Sequence, residues 1–195
     1  MTSQLEPFFD ANLAISEWQR KNHGCPSSSC GYIQIHGKKL TTCPDDDIFL
    51  SAGLGMNSSY HFFFQIYTEL QPGNSSASLA WYSDATDRPI KRLQQNLSLS
   101  FPSKHISLPS DSNCTLTATK NVFGRYLNGI QSESVCSKAA TGRTATGEFI
   151  HAEQSRAARS PPNYNAWSQA VLNTFDVICA DGMVIDPTTK LCTFN

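Results

Sequence analysis

The strongest constraint on the fold is the stretch 48–82, where the apolar residues of the chain are concentrated. Over 60–70 the side chains alternate between two faces, which is typical of a β-strand. Pro72-Gly73 then fits a tight turn, because proline presets φ and glycine accepts a positive φ. The segment 77–81 alternates again, so the sequence predicts a β-hairpin at the centre of the fold.

Short alternating segments continue on both sides of this hairpin. The segment 97–101 predicts one strand, and Asn128-Gly129 predicts a hairpin turn after Val122–Leu127. Repeated short strands with turns between them favour an all-β arrangement over alternating strands and helices. We therefore expect an α+β fold, predominantly β: an antiparallel β-sandwich or barrel, disulfide-stapled, with its β-rich core at 48–136.

Two segments show helical rather than strand periodicity. From about Pro7 to Asn22 the apolar residues recur at helical spacing, and Gly24 can end the helix. Near the other end Asn165 can cap a second helix, which Asp181-Gly182 stops. We expect an N-terminal and a C-terminal amphipathic helix, each packing its apolar stripe on the sheet.

Length and charge narrow the class of protein. The 195 residues suit a single compact domain, 1–195. A net charge of −1 and a charged fraction of 16% leave no basic surplus for a phosphate backbone, so we expect no nucleic-acid partner. No apolar run approaches the roughly 20 residues of a transmembrane helix.

Cysteines and glycosylation sequons indicate secretion. The chain has seven cysteines and no C-x-x-C motif, which is typical of an oxidising compartment. It also has four acceptor sequons, at Asn57, Asn74, Asn96 and Asn113. We expect a secreted, extracellular glycoprotein, with Asn74 on the turn of the central hairpin as its most accessible site.

The spacing of the cysteines predicts three disulfides and one free thiol. The predicted pairs are Cys30–Cys43, Cys114–Cys136 and Cys179–Cys192, with Cys25 left free. The first closes a cysteine-rich hairpin, Tyr32 to Thr42, within 7–43, and the last closes a C-terminal turn within 166–195. A zinc site that recruits His23 or His36 is disfavoured by the C-x4-C-x12-C spacing. We expect no metal and no cofactor.

Apolar content falls sharply over 137–165, which shows neither helical nor strand periodicity. This predicts a long exposed loop, locally basic through Arg143, His151, Arg156 and Arg159. The loop is either a partner-binding surface or a solvated insertion open to proteases.

No catalytic motif is present, so function is inferred from exposed side chains. Phe63, Tyr67 and Tyr82 fall on the outer face of the central hairpin and could bind an extracellular or host protein or glycan. His61 and Glu69 lie eight residues apart on one strand, about 26 Å, too far to act together. In composition the chain resembles effector-type proteins that pathogens and symbionts export.

We therefore expect a secreted effector-like interaction or ligand-binding protein that acts without catalysis. The alternative is a small secreted hydrolase, ribonuclease-like or glycan-directed. A cleft holding paired histidine and carboxylate side chains would favour the hydrolase, and an open aromatic patch would favour the binding protein.

Overall fold

The structure is a computed structural model that describes residues 7–55 and 75–194. Its helices and strands, in chain order, are α1 (Pro7–His23), β1 (Tyr32–Gly37), β2 (Ile48–Ser51), α2 (Ser75–Ser83), α3 (Pro89–Ser100), β3 (Ile106–Ser107), α4 (Val122–Leu127), β4 (Phe149–Gln154), α5 (Tyr164–Thr174), β5 (Met183–Ile185) and β6 (Cys192–Phe194). Both terminal helices predicted from the sequence are present, as α1 and α5.

The main sheet has four strands in the order β1-β4-β2-β3. β4 pairs parallel with β1 and antiparallel with β2, and β2 pairs parallel with β3. β5 and β6 form a separate antiparallel hairpin. The predicted β-sandwich or barrel is therefore wrong: the described residues form a mixed α/β fold with neither a closed barrel nor a sandwich.

Helices occupy several segments that were predicted as strands. The segment 77–81 lies in α2, and the segment 97–101 lies mainly in α3. In α3 the buried positions are Ile90, Leu93 and Leu97, which follow the helical period, whereas Leu99 is 80% exposed. Pro89 starts this helix in a position that tolerates its missing N–H. Hydrophobic alternation in a serine-rich segment was thus a misleading signal.

Asn128-Gly129 ends a helix rather than turning a hairpin. The preceding residues form α4, whose N-terminus is capped when the Asn121 side chain accepts a hydrogen bond from the Gly124 N–H at 2.8 Å. Gly129 has a φ of +83°, the left-handed conformation that both helix ends and hairpin turns use. The same dipeptide therefore fits either structure.

The predicted loop 137–165 contains the strand that organises the sheet. β4 lies between β1 and β2, and Phe149, Ile150, His151 and Ala152 are all buried. A strand that is buried on both faces loses the period-two alternation, which is why the sequence pattern did not reveal it. The remainder of 137–165 is made of turns, a short 3₁₀ helix and the start of α5.

The tyrosine at the end of the predicted hairpin belongs to the core. Tyr82 is only 2% exposed; its hydroxyl accepts a hydrogen bond from the Ala52 N–H and donates one to the Leu54 carbonyl, both at 2.8 Å. Burial raises the pKa of this hydroxyl. Tyr82 is thus not part of an exposed aromatic surface. The rest of the hairpin, 60–74, lies outside the described residues.

Three disulfides are present: Cys25–Cys30, Cys43–Cys114 and Cys179–Cys192. The C-terminal pair is as predicted. The pairs Cys30–Cys43 and Cys114–Cys136 are wrong, and the free, exposed thiol is Cys136 rather than Cys25. Both errors follow from the two hairpins that do not form, because β1 pairs with β4 and not with 40–42. Three disulfides are compatible with an extracellular protein.

The two faces of the sheet differ in character. One face packs against α3 and α5 and forms the larger apolar cluster, which includes Ile48, Leu50, Ile150 and Ala152. The other face carries Phe149, which packs with Phe123 and Leu127 of α4. The polar side chains of the sheet lie further along this second face.

Candidate metal centre

The register of β1 and β4 brings two histidines and a glutamate together. His36 lies directly beside Glu153, and His151 precedes Glu153 by two residues on the same strand. Side chains two residues apart in a strand share a face, and laterally paired residues of parallel strands do so as well. His36, His151 and Glu153 therefore project from one face of the sheet, near the carboxyl ends of β1 and β4.

The three side chains are close enough to share one ion. Each offers a ligand atom, and these atoms all lie within 4.8 Å of one another. His151 Nε2 lies 3.7 Å from Glu153 Oε1. The imidazole rings of His36 and His151 have centroids 4.5 Å apart and planes inclined by 31°. Imidazole nitrogen and carboxylate oxygen are both common ligands of zinc and related metals.

His151 is buried with one nitrogen unpartnered. The residue is 7% exposed, and its Nδ1 is one of two buried side-chain nitrogen or oxygen atoms in the described residues that have no hydrogen-bond partner. Burial, followed by the charge of His36, lowers the pKa of His151 to about 4. The ring is therefore neutral near pH 7, as a metal ligand must be.

Glu153 is also withdrawn from water. Its side chain is 14% exposed, and burial raises its pKa, while His36 and Lys38 act in the opposite direction. A buried carboxylate is stable as an anion only when a cation or several hydrogen-bond donors face it. A divalent cation between Glu153 and the two imidazoles would meet that need.

The loop that follows β1 is fixed beside the cluster by Lys38. This buried lysine donates hydrogen bonds from Nζ to the Thr42 carbonyl at 3.1 Å and to the Cys43 carbonyl at 2.9 Å. The Cys43–Cys114 disulfide then ties the loop to the chain ahead of α4. These contacts hold the border of the site in place.

A second group of potential ligands, Cys43, Asp46 and Cys114, does not form a metal site of the same kind. Its two cysteines are joined in a disulfide, so neither offers a thiolate. The buried Asp46 carboxylate accepts hydrogen bonds from the hydroxyls of Ser107 and Ser112. Asp46 thus has a structural role between β3 and the neighbouring loop.

A cleft of about 490 Å³ adjoins the cluster at the edge of the sheet. His36 and Gly37 form one side, at the end of the edge strand β1. Arg159 and the first turn of α5, represented by Tyr164 and Trp167, form the other. His36 therefore belongs both to the His–His–Glu cluster and to the cleft lining, but Ile35 and Gly37 of the cleft lie on the opposite face of the sheet from the cluster.

The candidate residues from sequence analysis are distributed differently from the prediction. Phe63 and Tyr67 lie outside the described residues, as do His61, Glu69 and the sequons at Asn57 and Asn74. Of the basic residues, His151 is in the buried cluster and Arg159 lines the cleft, whereas Arg143 and Arg156 are exposed and do not line it. The structure thus does not join the four into one loop surface.

The two remaining sequons differ in accessibility. Asn96 is half-buried on α3, and its amide donates a hydrogen bond to the Thr174 hydroxyl of α5 at 3.3 Å. Asn113 is exposed in the loop after β3. Of these two, Asn113 is the one where a glycan would disturb no helix contact.

Sequence reasoning missed His36 and Glu153 as site residues. One local signal was available: His151-x-Glu153 has the spacing that places two side chains on one face of a strand. That signal has meaning only once β4 is recognised as a strand. The pairing that adds His36 joins residues more than a hundred positions apart, and no local pattern encodes it.

No protein-family model matches the chain, and comparisons with curated proteins and with solved structures likewise find no match. Within the described residues, no helix has the length and apolar content needed to cross a membrane. A functional assignment therefore depends on the geometry of the site.

Proposed function

We propose that this protein is a small secreted metal-dependent hydrolase whose divalent metal ion, of the zinc type, is held by His36, His151 and Glu153. The observation that carries the proposal is the convergence of these three ligand atoms within 4.8 Å of one another on a single face of the sheet. Secretion is supported by the three disulfides and by the sequons.

The short distances favour a metal over direct acid–base catalysis. A metal-free acid and base must stand on either side of the reacting bond, and paired catalytic carboxyls in glycosidases lie about 5–9.5 Å apart. The His151 Nε2 to Glu153 Oε1 distance is 3.7 Å, closer to the spacing of two ligands around one ion. The cluster therefore suits coordination better than an in-line proton relay.

The ligand set favours a catalytic over a structural metal. Structural zinc is usually enclosed by four protein ligands rich in cysteine, whereas catalytic zinc has three protein ligands and an open position. Two histidines and one glutamate are a ligand set of the second kind. His36 is exposed, so a water or substrate could reach the fourth position from solvent.

A metal in this position would supply two effects that hydrolysis needs. It would lower the pKa of a bound water and polarise the bond under attack. The protein contributes the rest: two strands fix the ligands in register, and the buried ring of His151 restricts their movement. This makes the alternative function from the sequence, a secreted hydrolase, the better supported one.

That the protein is a non-catalytic interaction protein stays a prediction, because the described residues do not include the aromatic surface on which it depended. Of the aromatic residues on which it depended, Tyr82 is buried, and Phe63 and Tyr67 lie outside the described residues.

The test begins with metal content. The protein, produced through an oxidising secretory pathway, is purified, and its metals are measured by mass spectrometry and by zinc titration calorimetry. We expect one zinc ion per chain in the unmodified protein, and loss of binding in His36→Ala and Glu153→Gln. His23→Ala, which changes an exposed histidine at the end of α1, is the matched control and should bind zinc normally.

The second step asks whether the metal is catalytic. Hydrolysis of 4-nitrophenyl acetate and of bis(4-nitrophenyl) phosphate is measured before and after chelation with 1,10-phenanthroline, and again after zinc is restored. We expect turnover of at least one probe that chelation stops and zinc restores. Normal zinc binding by His36→Ala would overturn the site, and zinc binding without zinc-dependent turnover would overturn the catalytic role.

A further inference from the structure

The cleft beside the metal site contains a cation with no acidic partner. Arg159 is exposed in the turn after β4, and none of the described carboxylates forms an ion pair with it. No acidic side chain is among the described residues that line the cleft. A guanidinium in such a position can bind an oxyanion through two parallel hydrogen bonds.

Gly37 allows the guanidinium to lie against the end of β1. A Cβ built on Gly37 would meet Arg159 Nη1 at 1.9 Å and Cζ at 2.5 Å. Any other residue at position 37 would therefore push the guanidinium away from its present place. The backbone of Gly37 has no positive φ, so a change to alanine would displace Arg159 without straining the strand.

The rest of the cleft suits a flat apolar group. Ile35 and Tyr164 line the cleft and are 57% and 60% exposed. Trp167 is 8% exposed, and its indole N–H donates a hydrogen bond to the Ala158 carbonyl at 3.2 Å, which fixes the ring. Aromatic walls of this kind stack on planar ligands.

The N-terminus of α5 adds to the positive potential. The helix starts at Tyr164 in the wall of the cleft, and the preceding Asn163 makes no side-chain cap. The Asn163 amide instead donates hydrogen bonds to the Ala157 carbonyl and to the Ser160 hydroxyl. The Tyr164 N–H donates a hydrogen bond to the Pro161 carbonyl of the preceding 3₁₀ turn, so the contribution of this helix end is that of the macrodipole.

From these observations we infer that the cleft binds an organic anion: a carboxylate or phosphate joined to a planar apolar group, with the oxyanion on Arg159 and the apolar group between Ile35, Tyr164 and Trp167. The cleft lies on the α5 side of the sheet and the His36–His151–Glu153 cluster on the other side, and His36 in the edge strand is the residue that they share. Anion binding on Arg159 does not depend on the proposed metal site.

Binding of phenyl phosphate and of phenylacetate to the chelated, metal-free protein tests the cleft by itself, with neutral phenylacetamide as reference. The readouts are calorimetry and the fluorescence change of the chain's tryptophans. At least one anion should bind more tightly than the amide. Whether phenyl phosphate or phenylacetate binds then identifies the preferred oxyanion as phosphate or carboxylate. Equal binding of both anions and the amide, or no binding of either anion, would overturn the inference.

Three variants locate the interaction. Arg159→Gln should weaken binding roughly tenfold or more, because a charge-assisted pair of hydrogen bonds is lost. Gly37→Ala should also weaken it while leaving every charge in place, and Arg159→Lys should retain part of the affinity. Arg156→Gln is the matched control, since Arg156 is exposed nearby in sequence but does not line the cleft. An equal effect of Arg156→Gln and Arg159→Gln would contradict a specific site.

The zinc-loaded protein separates this inference from the proposed function. Arg159-dependent anion binding in a protein that also takes up one zinc ion, with zinc uptake lost in His36→Ala, supports both. Arg159-dependent anion binding in a protein that takes up no zinc supports the cleft and overturns the metal site. Normal zinc binding with no Arg159-dependent anion binding overturns the cleft alone.

Discussion

The two faces of the central sheet divide stability and chemistry between them. On the face toward α3 and α5, neighbouring strands contribute fully buried aliphatic side chains, among them Ile48, Leu50 and Ile150. On the opposite face the same strands carry His151, Glu153 and, from β1, His36. Consecutive residues of one strand, such as Ile150 and His151, therefore lie on opposite faces and serve different purposes.

The polar face depends on stability that the rest of the fold supplies. Burying His151 and Glu153 opposes folding, because neither side chain has a full set of partners. The apolar face and the disulfides must compensate for that cost. The predictions below test this division, from the largest expected change in unfolding free energy to the smallest.

Removing the Cys43–Cys114 disulfide should have the largest effect. The bond closes a loop of 71 residues, for which the chain-entropy model gives about 4 kcal/mol. We expect Cys43→Ala with Cys114→Ala to lower the unfolding free energy by that order in urea titrations, and to weaken zinc binding because the loop around Lys38 is released. The control is Cys179→Ala with Cys192→Ala, because the disulfide that it removes closes only the C-terminal hairpin. Weaker zinc binding in the control variant as well would contradict this assignment of roles.

Truncating a side chain on the apolar face should have the second-largest effect on the unfolding free energy. Leu50 is fully buried, so Leu50→Ala should lower the unfolding free energy by about 3 kcal/mol through lost burial and a new cavity. Ser51→Ala changes the next residue, on the polar face, where the hydroxyl makes only a long hydrogen bond of 3.5 Å to the Leu116 carbonyl. The unfolding free energy of that control should fall by at most about 1 kcal/mol. Equal losses in the two variants would contradict the division between faces.

Changing the buried histidine should have the smallest effect and the opposite sign. In metal-free protein, His151→Leu removes an unpartnered buried nitrogen and keeps an apolar side chain in place, so we expect a gain of about 1 kcal/mol. The same variant should bind no zinc. His23→Leu, at an exposed position, should change neither property. A marked loss of stability in metal-free His151→Leu would show that the polar face is structural rather than functional.

Local patterns in the sequence predicted the elements that depend on near neighbours. Helices α1 and α5 follow from apolar periodicity, and the Cys179–Cys192 pair from a nearby turn, all within about twenty residues. The bounds of α5 differ from the prediction, because Asn165 lies inside the helix and the helix ends at Thr174 rather than near Asp181-Gly182. The N-terminal helix nevertheless leaves Ile15 and Trp18 more than half exposed, so its apolar stripe does not pack on the sheet as expected. A periodic pattern predicts a helix better than it predicts the partner of that helix.

The site could not be predicted because it depends on non-local pairing. β4 has no alternation, being buried on both faces, and its parallel pairing with β1 brings together residues far apart in the chain. In addition, Leu97-Ser98-Leu99 alternates like a strand although it lies in α3. Without β4 in place, His151 is interpreted as a loop residue, His36 enters only a disfavoured zinc site with the cysteines, and Glu153 is not considered.

The most direct test of the account is X-ray absorption at the zinc edge on the zinc-loaded protein. We predict a first shell of nitrogen and oxygen only, at about 2.0–2.1 Å, with the outer-shell pattern of two imidazoles. In His36→Ala that pattern should fall to one imidazole or the metal should be lost. A sulfur ligand at about 2.3 Å, which Cys136 as the free thiol could supply, would contradict the His36–His151–Glu153 site.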